Sequence, residues 1–402
     1  EPVGRAMQGK IGLAQGVPPL SAAVARRASF SQVAARPVAF VKGFGCGGPG
    51  DVSGLRQWLQ ENPSAEVRGI LGKTEGNGCV NDFSRGWAAE SVRAAVQQAP
   101  PAVAAAAQLR PPVAIMSGGT EGVIEPHFLL FAELPPGSAG APEEPPTDST
   151  AGDRLVIGTA VTRNFAPEEV GTVAQALETR DAVRKACAAA GLEPSVAHFA
   201  QVKTPLLTSE RVLAAAAECT TKDTYRSMAL SRAASALGVA LATGEVDHIT
   251  QEDIAANYDK FSSIASTSAG VETMRNEVMV LGNSAGPGDL RVESCVMADA
   301  LDVQAVWRMF HRAGLASEHG QLTPEARGRV VGLLCKADPA RTVRGYRTTM
   351  LTDSDFQATR HARAAVGGLL AGAVGHARLF VSGGAEHQGP DGGGPVLVIY
   401  RA

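Results

Sequence analysis

Serine, lysine and arginine can together carry out acyl transfer, and this chain of 402 residues presents the trio three times in one order. IMSGGTEG (115 to 122), ASTSAGVE (265 to 272) and FVSGGAEHQG (380 to 389) each set a serine after an apolar run and follow it with small residues and a glutamate. Ahead of each serine a lysine closes a strand-like run: Lys73 in GILGKTEG, Lys203 in AHFAQVKTP and Lys336 in VVGLLCKAD. Between lysine and serine an arginine opens an alanine-rich stretch: Arg85 in SRGWAAES, Arg232 in SRAASALG and Arg363 in ARAAVGGL.

A serine hydroxyl is a weak nucleophile and needs a base. A lysine that is desolvated or set beside other cations loses proton affinity and can serve. Arginine offers a rigid cationic fork to carbonyl or oxyanion oxygens. Small residues after the serine allow close approach and leave backbone N–H groups free to point at an anion. Histidine keeps no such pattern: His127 and His387 follow Ser117 and Ser382 at different spacings, and nothing comparable follows Ser268. Taken singly, Ser-Gly-Gly is commonly a turn, a strand-end lysine a solvated edge charge, and an arginine in an Ala-rich helix a surface residue. The threefold co-occurrence of Lys73/Arg85/Ser117, Lys203/Arg232/Ser268 and Lys336/Arg363/Ser382 is what points to function, although common ancestry could also repeat a structural turn. Nothing in the pattern chooses among the three serines.

The elements that must position these groups follow from the punctuation of the chain. LPPGSAGAPEEPPTDSTAGD (134 to 153) is rich in Pro, Gly, Ser and Ala and reads as a linker, with GNSAGPGDLR (282 to 291) a weaker break. The expected organisation is a basic extension over 1–38, a repeat over 39–137, a linker over 138–152, a repeat over 153–283, a linker over 284–294 and a repeat over 295–402. Apolar runs alternating with Ala-rich stretches predict an α/β build, one sheet with covering helices per repeat. A pseudo-threefold axis would let the three sets converge on one central cavity.

A net charge of -3 and 5% aromatic residues give no reason to seek nucleic acid or an anionic membrane, so a small partner is expected. Six scattered cysteines without a Cys-x-x-Cys pair argue against a zinc ribbon or disulfide framework and fit a reducing compartment. The most apolar window, 364 to 381, is broken by glycines, His376 and Arg378, which argues against a membrane span. The first 38 residues carry Arg5, Lys10, Arg26, Arg27 and Arg36 and lack acids after Glu1. That composition suits a transit peptide or a disordered extension equally, so the expected location is cytoplasmic, or organellar if the extension is a targeting signal. GFGCGG (43 to 48) satisfies the Gly-x-Gly-x-x-Gly dinucleotide turn, but no clear second strand ending in an acid follows and no Walker lysine accompanies it.

With these residues in place, the chain from about 39 onward resembles the cyanuric acid hydrolase/barbiturase family of ring-opening amidohydrolases. GKTEGNGCVNDFSRG (72 to 86), PPVAIMSGGTEGVIEPH (111 to 127), SRAASALGVALATGE (231 to 245), TRHARAAVGG (359 to 368) and SGGAEHQGPDGGGPVLVI (382 to 399) carry the resemblance. It implies three similar α/β domains around a pseudo-threefold axis, with three Ser-Lys pairs (Ser117/Lys73, Ser268/Lys203, Ser382/Lys336) and three arginines around a flat cyclic amide. It implies Ser268 as nucleophile and Lys203 as its base, with Ser117, Ser382, Gly118, Ala269, Gly383, Arg85, Arg232 and Arg363 holding ring oxygens. Opening cyanuric acid to carboxybiuret, which loses carbon dioxide to give biuret, is the expected reaction; barbituric acid is the nearest rival substrate, and a non-catalytic binder of flat cyclic imides the alternative from another class. No organic cofactor is implied. A structural magnesium or calcium ion is, at Asp338 and the backbone of Ala385, Gln388, Gly389, Pro390 and Gly393, an oxygen-only donor set that suits either ion. A homo-oligomer, with a tetramer favoured, is expected too. Three departures stand out: Asp338 where glutamate is expected, Asp391 where a proline is usual, and the Gly-rich stretch VKGFGCGGPGD (41 to 51) in place of a Pro/Ala-rich turn.

Overall fold

Three stretches of the chain fold with one strand plan. The computed structural model describes residues 37–138 and 152–402. In the first stretch β1 (Val38–Gly45), β2 (Glu66–Thr74), β3 (Val113–Gly118) and β4 (His127–Leu134) pair in the order β1-β4-β2-β3. In the second, β5 (Asp153–Val161), β6 (Phe199–Pro205), β7 (Ala265–Gly270) and β8 (Glu277–Ala285) pair as β5-β8-β6-β7. In the third, β9 (Leu290–Met297), β10 (Val330–Ala337), β11 (Phe380–Gly383) and β12 (Gly394–Arg401) pair as β9-β12-β10-β11. The protein is therefore a pseudo-threefold α/β assembly of similar repeats.

Within each sheet the second and third strands run parallel, while the remaining neighbours are antiparallel. Parallel neighbours need a crossover, and in each repeat a helix supplies it. These helices are α1 (Phe83–Gln97), α3 (Thr224–Thr243) and α4 (Ala358–Val374), with α2 (Val173–Ala190) packed on α3. Asp82 starts α1 by accepting the Ser84 N–H, and Asp223 starts α3 by accepting the N–H groups of Tyr225 and Arg226. α3 approaches α2 so closely that a Cβ on Gly238 would lie 2.4 Å from the Ala176 carbonyl oxygen. Alanine and glycine thus bring the helix backbones together.

Each sheet buries both faces, which explains why its strands read as continuous apolar runs rather than alternating ones. The outer faces pack under the helices in separate cores, such as Ile70, Val92 and Met116 in the first repeat and Val202, Val239 and Val280 in the second. The inner faces of all three sheets meet in one shared core that includes Leu71, Ile115, Phe199, Met279, Leu334, Phe380 and Leu397. Strand residues of one inner face therefore end beside those of the other two.

The expected break over 284–294 is narrower in the structure: β8 runs to Ala285 and β9 resumes at Leu290. The Asn283 amide grips both the N–H and the C=O of Val292, at 3.0 and 2.8 Å, and turns the chain within a few residues. The basic extension, up to residue 36, and linker residues 139–151 lie outside the described residues. Among the described residues no helix is long and apolar enough to cross a membrane.

Candidate active site

The lysine and serine of each repeat face each other across the parallel pair. Lys73 is the ladder partner of Ser117, Lys203 of Ser268, and Lys336 of Ser382. All six are buried, with each lysine at most 1% exposed. Sequence distances of 44 to 65 residues collapse to one strand spacing because a crossover helix returns the chain in register.

The lysines also stitch the repeats into a ring. Lys73 donates to the carbonyl of Val381 at 2.7 Å, Lys203 to that of Met116 at 2.8 Å, and Lys336 to that of Thr267 at 2.5 Å. In each case the acceptor is the residue just before the serine of another repeat. The arginines continue the ring. Arg363 forks onto Glu121 with both contacts at 2.7 Å, and Arg232 forks onto Glu386 at 2.6 and 2.8 Å. Arg85 donates instead to the carbonyls of Ala269, at 3.0 Å, and Cys79, at 2.6 Å.

The threefold pattern of arginine–glutamate pairs breaks at Arg85. By analogy with Glu121 and Glu386, Glu272 would pair with Arg85, yet it lies 2.7 Å from Lys203 Nζ. Lys73 and Lys336 reach their own serines at 3.3 and 3.1 Å; Lys203 instead donates to the Met116 carbonyl and stands in ion-pair contact with Glu272. The charge states diverge accordingly. Burial, reinforced by Arg363 for Lys73 and Arg232 for Lys336, holds those two amines well below the ordinary lysine range. Burial also lowers Lys203, but Glu272 offsets part of that, leaving it at about 8. Glu272 remains ionised: burial opposes its charge, while Lys203 and Arg85 hold it below the ordinary carboxyl value.

The glycine after each small residue makes room for these contacts. A Cβ on Gly270 would come within 2.1 Å of a Glu272 carboxylate oxygen and 2.5 Å of Lys203 Nζ. Gly119 (φ +100°) and Gly384 (φ +81°) play the same part beside Arg363 and Arg232, in backbone conformations that other residues rarely adopt. At the preceding position Gly118 packs onto Asp82, where any side chain would overlap the carboxylate, whereas the second repeat accommodates Ala269.

Above the lysines the repeats open a small polar cleft. It is lined by Ser117, Gly118, Ser268, Ala269, Ser382, Gly383, Arg85, Arg232 and Arg363, together with Gly78 and Met228. Three serines with three guanidiniums can hold several oxygens of one flat ligand, and a neutral lysine behind a serine can take its proton. The histidines set aside in sequence are engaged elsewhere. His127 bonds to the Glu125 carbonyl, and burial pushes it down to about 4. His387 accepts the Ala255 N–H and contacts the Lys260 carbonyl. Residues 41–51 contribute nothing to the cleft lining; Gly45 instead leaves space for Glu125, which pairs with Arg378.

Asp338 and the 385–393 loop come together beside the third repeat's set. The Asp338 carboxylate accepts the N–H groups of Ala385 at 2.8 Å and Gly392 at 3.3 Å. Burial first, and then the charges of Glu386 and Asp391, raise it to about 6. The Gln388 side chain is committed to the Thr267 N–H at 2.6 Å. Among the described residues no three His, Cys, Asp or Glu side chains converge on one point. What this loop offers a hard cation is therefore the Asp338 carboxylate together with backbone carbonyls, oxygen donors of the kind such ions take.

The glutamates Glu121, Glu272 and Glu386 were visible in sequence as the recurrent last member of the motif, but their partners lie in distant segments. Residues 41–401 match the family model described as amidohydrolase ring-opening protein. A cyanuric acid amidohydrolase of Bradyrhizobium diazoefficiens is 47% identical over 369 residues, covering 88% of this chain and 95% of that one. One from Ectopseudomonas oleovorans is 46% identical over 375 residues, covering 88% and 97%. The crystal structure of the cyanuric acid hydrolase from A. caulinodans superposes with a TM-score of 0.80 at 43% identity, covering 91% of this chain and 99% of that one.

Proposed function

The chain belongs to the ring-opening amidohydrolase family, and from that premise we propose that it hydrolyses cyanuric acid, with Ser268 as nucleophile and Lys203 as base. The observation that carries the choice of the middle pair is the 2.7 Å contact between Lys203 and Glu272, which has no counterpart at the other two lysines. A neutral lysine has two N–H bonds and one lone pair. Lys203 gives one hydrogen to the Met116 carbonyl and stands in ion-pair contact with Glu272, and its lone pair remains available to the hydroxyl of Ser268, its ladder partner. Its pKa near 8 leaves an appreciable neutral fraction at neutral pH and still a base strong enough to accept a proton.

In this mechanism Ser268 Oγ attacks a ring carbonyl and its proton passes to Lys203 Nζ. Backbone N–H groups in the segment after the serine steady the tetrahedral oxyanion. The ring C–N bond then breaks, Lys203 returns the proton to the departing nitrogen, and the opened substrate remains esterified to Ser268. Water, deprotonated by Lys203, attacks the ester, and Ser268 is released with carboxybiuret. Ser117, Ser382 and the three arginines hold the remaining ring oxygens and fix which carbonyl faces Ser268. Lys73 and Lys336, held well below the ordinary lysine range and bonded to their own serines, position those hydroxyls. Asp338, with carbonyls of Ala385, Gln388, Gly389, Pro390 and Gly393, would hold a magnesium or calcium ion that braces the loop carrying Glu386. Initial rates with cyanuric and barbituric acids side by side test the reading: turnover of cyanuric acid supports it, and turnover of barbituric acid alone would overturn the substrate.

A further inference from the structure

One layer beneath the cleft the three repeats differ. Two residues before each lysine and serine, on the same strand face, the first repeat has Leu71 and Ile115 and the third has Leu334 and Phe380, all in the shared apolar core. The second repeat has Gln201 and Ser266 there, direct ladder partners of each other and both 0% exposed. Neither Gln201 amide atom nor the Ser266 hydroxyl finds a hydrogen-bond partner among the described residues. A buried amide and hydroxyl without partners are unfavourable, and polar groups in such positions characteristically bind internal water. This polar pair occurs in one repeat of three, under Lys203 and Ser268.

Ring opening makes such a water useful, an inference that rests on the reading of Ser268 and Lys203 above. In most acyl transfers a leaving group departs and water takes its place. Here the departing nitrogen stays tethered to the acyl group, so the cleft is still filled when hydrolysis must begin. We propose that Gln201 and Ser266 hold an internal water beneath the Lys203/Ser268 pair and that this site supplies the water for deacylation. In that step the water oxygen bonds to the ester carbon and its proton goes to Lys203 Nζ. The bond from that carbon to Ser268 Oγ breaks, Lys203 returns the proton to Ser268 Oγ, and the product leaves as the acid. No further reactant is needed.

The test replaces the pair with the apolar character of the other repeats, Gln201→Leu with Ser266→Ala, and follows cyanuric acid turnover by rapid quench and intact-protein mass. Expected is steady-state turnover lower by about tenfold or more, with enzyme carrying the mass of one substrate accumulating at a near-parental formation rate. Turnover within about twofold of the parent, or a loss of turnover without accumulating adduct, overturns the proposal. If the double variant does not fold by circular dichroism, Ser266→Ala alone is held to the same criteria. Retained turnover in Ser268→Ala would instead refute the nucleophile and leave the water site to be judged by a crystal structure at high resolution.

Discussion

Lys203 faces Ser268 across the β6/β7 ladder yet rests 2.7 Å from Glu272, and this contact distinguishes the middle lysine from its two counterparts. Its removal should be read first in the pH profile. With Lys203 near 8, kcat/KM should rise with pH and level off above that value, because only the neutral amine accepts the Ser268 proton. In Glu272→Gln the carboxylate that favours the ammonium is gone, so the rising limb should move to lower pH, and the weaker base should cost about tenfold or more in kcat. A limb that stays in place would show that Lys203 does not set it.

Gly270→Ala tests the same contact sterically. A Cβ there would overlap Glu272 and Lys203, so kcat should fall by about a hundredfold or more through misplacement of the base. Ala269→Gly, one residue earlier, removes a methyl group from a position where the other repeats have glycine, and should leave the rate within a few-fold of the parent. Equal effects of the two substitutions on initial rates would count against the steric argument.

Glu121→Ala would strand the Arg363 guanidinium, a buried group that forks onto that carboxylate. Removing one partner of a buried pair costs about 3–5 kcal/mol, so chemical denaturation should show a loss of that order. The same substitution at exposed Glu90, which pairs with Arg93 at 3.3 Å, should change stability by less than about 1 kcal/mol.

The ion expected at Asp338 is tested by chelation. A bound cation stabilises the native state by mass action, so EDTA should lower Tm and added magnesium or calcium should restore it. Asp338→Asn should remove that dependence while leaving the fold intact. A Tm indifferent to EDTA in the parent protein would argue that the loop stands without an ion.

What the sequence revealed and what it concealed divide along the repeats. The register of Lys73 with Ser117, Lys203 with Ser268 and Lys336 with Ser382 was approachable, because each residue ends an apolar run and parallel strands joined by a helix bring such ends together. The ring of contacts was not, since these links join different repeats: Lys203 to Met116, Arg363 to Glu121, Arg232 to Glu386. Local periodicity carries no information about such partners. Gln201 and Ser266 look like ordinary polar interruptions until their counterparts in the other sheets are known. The break at 284–294 was read from glycine and proline, but ladder pairing and the Asn283 bonds to Val292 outweigh that local composition.

The choice of the middle pair stands or falls on the three serines compared under one set of conditions. With cyanuric acid, Ser268→Ala should lower kcat by about a thousandfold or more while still binding the ring, whereas Ser117→Ala and Ser382→Ala should turn over with a raised KM. If Ser268→Ala turns over as well as either of the other two, Ser268 is not the nucleophile.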